Sequence, residues 1–297
     1  MSGYVEGVVI LVCINVIAVL GVSILTGFTR LFSFGNAGFM AIGAYASAIL
    51  TTKYGAPFPV ALVVGPIIAA IVALGLGKLT LKLKGDYFLI TTLGFGESIR
   101  LLFLFAEPIT GGARGLSGIP PKTTMWVAVG MTVLAFIGAW NFLRSKYGRN
   151  LMAIREQEIA AEAVGINTAK FKEFSFMISA VYAGMAGALL AHYYMFISPI
   201  MFNLPKSAEL TITVVIGGLG SLSGSVLATI LLTVLPEIFR SAVEYRMLLY
   251  GIAVVVIIVL KPSGLMGYRE FSLRPIFQFI ARLRKKNRVA ETGGDEE

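Results

Sequence analysis

The feature that most constrains this chain is a series of long apolar runs that carry almost no charge. A helix that crosses a membrane needs about 20 mainly apolar residues. Only 14% of the residues are charged, against about 25% in soluble domains, so too few polar residues remain to cover a soluble core. The sequence therefore predicts an all-α, polytopic integral membrane protein. The predicted spans are Val8–Leu25, Phe58–Leu79, Tyr87–Phe105, Met125–Leu143, Phe174–Phe196 and Met247–Leu260.

Two further apolar regions, residues 26–51 and 208–235, are interrupted by glycine and small polar residues. Each is predicted to hold a short broken or re-entrant piece and then a helix, at Gly35–Thr51 and Val226–Phe239. Such a pair of interrupted segments, one in each half, is typical of a transporter with a pseudo-two-fold repeat and its pathway at the repeat interface. With the broken pieces included, we expect about eight to ten transmembrane helices.

Several residues are candidates for the pathway. Gly217, Gly218 and Gly220 are interpreted as a real break, because Gly is unfavourable in helix interiors. Asn36 is a candidate in the first interrupted region, where Gly38 and Gly43 fit pathway lining and close helix packing equally well. These residues are Asn36, Gly38, Gly43, Gly217, Gly218 and Gly220.

The third span adds polar candidates. Glu97 and Arg100 lie inside an apolar run, where ionisable groups are costly and are usually functional or paired. Their spacing of three residues also allows them to neutralise each other on one helix face. Thr91 and Thr92 are able to donate hydrogen bonds to a passing solute or to carbonyls of their own helix. Both alternatives stay open for each pair.

Basic residues predict which side each loop occupies. Lys and Arg concentrate in cytoplasmic loops, which places residues 78–84, residues 144–172 and the segment after the last span in the cytoplasm. The loop at residues 107–124 then lies on the opposite side, while the side of the N-terminus stays open. We predict a transmembrane domain over residues 1–270 and a basic juxtamembrane helix with an acidic tail over residues 271–297. The net charge of +9 does not indicate nucleic-acid binding, because it is spread over these loops.

A charged stretch, AIREQEIAAEAVGINTAK at residues 153–170, interrupts this apolar chain. Residues 151–164 are good helix formers, Gly165 suits the residue after a helix end, and Asn167 suits the cap of the next helix. We predict a short independent helix with Met152, Ile159, Ala163 and Ile166 on one face. Arg155, Glu158 and Glu162 fall on another. A helix lying on the membrane surface is one interpretation, and a cytoplasmic helix that docks into another protein is the favoured one.

This stretch resembles the coupling loop of ABC-importer permeases, with the pattern Glu-Ala-Ala, three residues, then Gly. Ala160, Ala161 and Gly165 match, but Ile159 stands at the glutamate position, one place after Glu158, and the distal Ile-x-Leu-Pro part is absent. The variant is similar to the LivM-type branched-chain amino acid permeases. Six segments agree with that branch in order over about residues 8–270: LFSFGNAGFMAIGAYAS, LKGDYFLITTLGFGESIRLLF, TGGARGLSGIP, GRNLMAIREQEIAAEAVGIN, VVIGGLGSLSGSVLATILLTVLPEIFR and LLYGIAVVVIIVLKPSGLMG.

The resemblance implies a permease subunit in the cytoplasmic membrane of a bacterium or archaeon, without a cofactor of its own. It implies a heterodimer with a sister permease, two cytoplasmic ABC ATPase subunits, and an extracytoplasmic binding protein that delivers leucine, isoleucine or valine. The residues of this chain implied to contact the ATPases are Glu156, Glu158, Ala160, Ala161, Glu162 and Gly165. GLGKLT at residues 75–80 is not a phosphate-binding loop, so ATP hydrolysis is assigned to the separate subunits. The alternatives are import of urea or short amides, an ion-coupled secondary transporter, and an intramembrane enzyme.

Overall fold

A computed structural model describes residues 3–83, 85–238, 246–261 and 263–267. In these residues the chain is almost entirely helical, and two short strands, β1 (Leu116–Ser117) and β2 (Phe196–Ile197), pair antiparallel. The helices in chain order are α1 (Gly3–Val22), α2 (Asn36–Thr52), α3 (Phe58–Thr80), α4 (Asp86–Phe105), α5 (Glu107–Thr110), α6 (Met125–Arg144), α7 (Lys146–Glu156), α8 (Glu158–Ala163), α9 (Thr168–Tyr194), α10 (Leu204–Gly217), α11 (Leu222–Ile238) and α12 (Arg246–Leu260).

The long apolar helices correspond to the predicted spans, so the all-α membrane architecture is confirmed. A π-helical turn, Ser23–Gly27, extends α1. Within the described residues, α1 with this turn, α3, α4, α6 and α9 are long and apolar enough to cross a membrane. The helix predicted at Phe174–Phe196 begins earlier, at Thr168. The sixth predicted span corresponds to α12, which has 15 residues and is shorter than these five helices.

Helix α9 lies at the centre of the bundle and packs against α1, α2 and α3. Glycines permit these close crossings. A Cβ on Gly187 of α9 would lie 2.8 Å from the carbonyl carbon of Met40 in α2, and a Cβ on Gly43 would overlap the backbone of Gly184. A Cβ on Gly38 would lie 3.0 Å from the Cα of Gly96. For Gly38 and Gly43 the packing alternative is therefore the one observed.

Both interrupted regions contain the predicted breaks. Residues 30–35 are not helical, and α2 then begins at Asn36, as predicted. In the second region α10 is followed by a turn over Gly218–Ser221, and α11 begins at Leu222 rather than at Val226. The start of α11 was predicted too late because Ser221 caps the helix: its Oγ accepts a hydrogen bond from the nitrogen of Gly224, at 3.0 Å, so helix begins directly after the turn.

Contacts at the two ends of α9 establish the sides of the molecule. At its C-terminal end, β2 pairs with β1 of the loop at residues 107–124. A Cβ on Gly7 would lie 2.7 Å from the hydroxyl of Tyr193, so the N-terminus of α1 lies on that side. At the other end lie α7 and α8, and a Cβ on Gly218 would lie 2.7 Å from the carbonyl oxygen of Gly267. The chain after α12 therefore returns to the side of the charged segment. The helix and tail predicted at residues 271–297 lie outside the described residues.

Candidate functional site

The charged segment forms two helices, α7 and α8, separated at Gln157, and not the single helix predicted over residues 151–164. Gln157 has extended backbone, with φ −157° and ψ 109°. Its carbonyl accepts the hydrogen bond of Ala161 and so begins α8. Helix propensity alone does not reveal this bend, since Gln is a good helix former. With this bend, Leu151 and Ile154 of α7 and Ala161 of α8 are all buried.

The predicted turn after α8 is confirmed. Gly165 has φ +87°, a left-handed conformation that glycine adopts without a steric penalty. The nitrogen of Gly165 donates to the carbonyl of Glu162 at 2.9 Å, and that of Ile166 donates to Ala161 at 3.0 Å, which together form a Schellman motif. The Oδ1 of Asn167 accepts from the nitrogen of Lys170 at 3.1 Å and caps α9. The sequence of α8 thus ends in a rigid reversal.

Met152, Ile159 and Ala163 of the predicted apolar face are exposed, but Arg155 of the predicted charged face is buried. The two glutamates of that charged face bond within the chain. Glu158 accepts a hydrogen bond from Lys172 Nζ at 2.5 Å, and Glu162 accepts one from the Thr168 hydroxyl at 2.6 Å. Ala161, next to the exposed Ala160, is 4% exposed, whereas Ile159 is 78% exposed. With its carboxylates turned toward α9, α8 presents apolar side chains outward.

Four large apolar side chains of the charged segment are exposed, and we call them together the apolar coupling surface. Large apolar side chains are costly to expose to water when they are contiguous, and such patches mark interaction sites. The charged neighbour Glu156 is exposed beside them. The apolar coupling surface consists of Tyr147, Met152, Ile159 and Val164.

The threonines of α4 bond within their own helix. Thr91 Oγ1 donates to the carbonyl of Tyr87 at 2.7 Å, and Thr92 Oγ1 donates to Leu89 at 2.9 Å. Thr92 Oγ1 also accepts the hydrogen bond of Phe34 N at 3.2 Å. Of the two open alternatives, the intrahelical bond is therefore the one observed. Thr92 additionally holds the irregular segment that leads into α2.

Glu97 and Arg100 form an ion pair on α4. Arg100 Nε donates to Glu97 Oε2 at 2.7 Å. The side chain of Glu97 is 32% exposed and that of Arg100 is 25% exposed. Glu97 also lines a narrow cleft. The cleft lies beside the N-termini of α2 and α10, and its other lining residues include Phe34, Ala37, Asn203 and Ser207.

Polar side chains join the first break to the N-terminal part of α10. Asn36 is fully buried, and its Nδ2 donates to the carbonyl of Ser33 at 2.9 Å. Ser207 Oγ accepts from Ala37 N at 2.9 Å, and Thr211 Oγ1 donates to Ser33 O at 3.3 Å. Sequence reasoning missed Ser207, although a serine in the first turn of a helix that opens with Leu-Pro is a recognisable helix-start signal.

The glycine break lies against the charged segment, which sequence reasoning also missed. A Cβ on Gly220 would overlap Arg155 Nη1 and lie 3.1 Å from its Cζ, and one on Gly217 would lie 2.6 Å from the Cα of Ser225. Arg155 is 8% exposed, not on an outer face. A basic-acidic pattern such as Arg155-Glu156 gives no indication of which member is buried.

Comparison with known proteins places this geometry in a family. The family model for the permease component of branched-chain amino acid transport systems matches residues 4–260. The chain belongs to this permease family. It is 36% identical over 290 residues to the high-affinity branched-chain amino acid transport permease LivM of Escherichia coli. The aligned region covers 86% of this chain and 68% of the relative.

Other relatives agree with the assignment of the permease. The LivM protein of Salmonella typhimurium is 36% identical, covering 85% of this chain and 68% of the relative. A LivH permease of the same organism is 29% identical over 50% of this chain and 48% of its own length. No solved structure matches the chain. The chain is therefore a multi-pass transport permease of the cytoplasmic membrane.

Proposed function

We propose that this permease is one of two membrane subunits of an ABC importer for branched-chain amino acids. Two separate ATPase subunits supply the energy, and an extracytoplasmic binding protein delivers leucine, isoleucine or valine. The relatives named LivM carry this substrate class in their names, and the relatives named LivH support a sister permease as the second subunit. The pathway opens alternately to the two sides as ATP binds to and leaves the motor subunits.

The observation that carries the proposal is the apolar coupling surface. It lies on the side where basic loops concentrate, which is the cytoplasmic side by the charge rule. Ile159 and Val164 project from a segment that the Gly165 turn and the Glu158–Lys172 contact hold rigid. A rigid apolar projection of helical residues fits a groove of a partner protein. Because the same segment contains Ala160, Ala161 and Gly165, which match the coupling loop of ABC-importer permeases, its proposed partner is the ATPase subunit.

The proposed pathway runs along α4 and the two breaks. An ion pair exposed to lipid at mid-span is costly, so the half-exposed pair of Glu97 and Arg100 favours a face of α4 that meets water or the sister permease. Thr91, Gly94 and Ser98 place small or polar side chains on the neighbouring, more exposed face of α4. In this proposal the candidates Asn36 and Thr92 hold the first broken segment. The candidates Gly217, Gly218 and Gly220 hold the turn between α10 and α11, and none of the five contacts the solute.

Reconstitution tests this proposal. The permease, its sister, the ATPases and the binding protein are purified together and placed in proteoliposomes. The expected result is ATP-dependent uptake of labelled leucine that is competed by isoleucine and valine but not by urea. Uptake of urea instead would keep the ABC mechanism and replace the substrate. Uptake that continues without ATP and collapses with an uncoupler would contradict the proposal.

A further inference from the structure

Arg155 occupies an unusual position for a cytoplasmic charged residue. It is the next-to-last residue of α7 and is 8% exposed, although its neighbours Met152 and Glu156 are exposed. Burying a guanidinium costs free energy, and such residues are held by specific contacts. Its side chain lies against the turn between α10 and α11.

The Arg155 side chain lies against the backbone of Gly220, and its Nε is 3.7 Å from the Glu156 carboxylate. A Cβ on Gly220 would lie 3.1 Å from Cζ and 3.3 Å from Nη2 of Arg155, in addition to overlapping Nη1. Gly220 also has φ +98°, which side-chain-bearing residues rarely adopt. Both the contact and the conformation therefore require glycine. The same contact borders a cytoplasmic cavity of about 470 Å³ lined by Phe28, Arg30, Met152, Arg155, Glu156 and Gly220.

Gly220 belongs to a point where several helix ends meet, which we call the glycine junction. A Cβ on Gly27, at the end of the π-helical turn of α1, would lie 3.2 Å from Gly220 N. The turn between α10 and α11 also meets the chain after α12, where Leu265 N donates to Ile216 O at 2.8 Å. The glycine junction consists of Gly27, Gly218, Gly220, Gly264 and Gly267.

Helix α10 connects the glycine junction to the broken segments. It has 14 residues, a length of about 21 Å at 1.5 Å per residue. Its far end carries Ser207 and Thr211, which bond Ala37 and Ser33. A displacement of the turn at Gly220 would therefore shift α10 and, through Ser207 and Thr211, the N-terminus of α2.

We propose that Arg155 is a positioning residue that passes the movement of the ATPase-docked segment to the glycine junction, and through α10 to the pathway. This inference rests on the proposed function. Arg155 contacts neither the ATPase nor the solute in this scheme. It sets the position of the turn between α10 and α11 as α7 moves, so ATP hydrolysis and uptake stay linked.

The test uses the reconstituted complex with Arg155→Gln and, as a matched control on the same helix, Arg149→Gln, whose side chain is exposed. We expect Arg155→Gln to reduce leucine uptake at least tenfold while ATP hydrolysis stays within about twofold, a tenfold change being about 1.4 kcal/mol. Arg149→Gln is expected to leave both unchanged. Unchanged uptake in Arg155→Gln, or uptake and hydrolysis that fall in the same proportion, would overturn the proposal.

A second measurement reads the junction directly and does not need transport. Cys13 is the only cysteine, so Cys13→Ala allows a single probe at Leu219→Cys, which lies inside the turn. We expect ATP to change the labelling rate of this probe by a water-soluble maleimide at least threefold in the complex, and Arg155→Gln to abolish the change. An ATP response that survives in Arg155→Gln overturns the role of Arg155. Absence of ATP-driven uptake in the wild-type complex would instead contradict the proposed function.

Discussion

The Oγ of Ser207 in α10 lies 2.9 Å from the backbone nitrogen of Ala37 in α2 and accepts its hydrogen bond. The first N–H groups of a helix have no partner within the helix. Ala37 and Ser207 are both buried, so water does not replace this bond. The first turn of α10 therefore caps the N-terminus of α2, directly after the first break.

We predict that Ser207→Ala destabilises the N-terminus of α2. The change leaves a buried backbone donor without a partner, which costs about 1–3 kcal/mol. The melting temperature of the purified complex in detergent should fall by several degrees. The matched control is Ser98→Ala, because Ser98 is exposed and bonds only to Gly94 of its own helix. Equal melting temperatures for the two variants would contradict the capping role.

The crossing of α2 and α9 gives a second prediction. A Cβ on Gly187 would overlap the carbonyl oxygen of Met40 and lie 3.1 Å from the nitrogen of Ala44, so Gly187→Ala must push two packed helices apart. Overpacking of this kind costs about 1–3 kcal/mol or more. Gly75→Ala in α3 meets no atom within 4 Å and should be neutral or stabilising. The yield of folded complex after mild heating distinguishes them, and similar yields would refute this account of α9.

Exchange of charges tests the pair on α4. Glu97→Gln or Arg100→Gln leaves one ion of the pair without its neighbour in the span, which is costly. Each single change should reduce the amount of assembled complex several-fold. The exchanged variant, Glu97→Arg with Arg100→Glu, restores an i,i+3 pair and should recover most of the complex. If the exchange recovers nothing, each residue has a separate role and mutual neutralisation is not the reason for their spacing.

The turn at Gly165 supplies a prediction about uptake. Gly165→Val places a β-branched residue at φ +87°, where it is strongly disfavoured, so the α8 projection should lose its fixed direction. Leucine uptake should fall at least tenfold while the permease remains in the membrane. Gly165→Asn, which tolerates left-handed backbone, should retain most of the uptake. Normal uptake in Gly165→Val would mean that the rigid reversal is not required.

The sequence predicts those features that depend on local patterns. Apolar runs predicted the spans, the cluster at Gly217–Gly220 predicted the second break, and Gly165 with Asn167 predicted the reversal after α8. The burial of Arg155 was missed because it depends on a distant part of the chain, the turn at Gly220. The bend at Gln157 was missed because Gln is a good helix former. The exposure of Ile159 agrees with the predicted docking face.

The central claim is that an ATPase subunit docks on the apolar coupling surface, and photo-crosslinking tests it most directly. A photoreactive amino acid is placed at Ile159 in cells that express the complete transporter. The control position is Tyr54, which is similarly exposed but follows the C-terminal end of α2, away from the charged segment. We predict that Ile159 captures the ATPase subunit and that Tyr54 does not. If Ile159 yields no ATPase adduct while the complex imports leucine, the motor docks elsewhere and the account is contradicted.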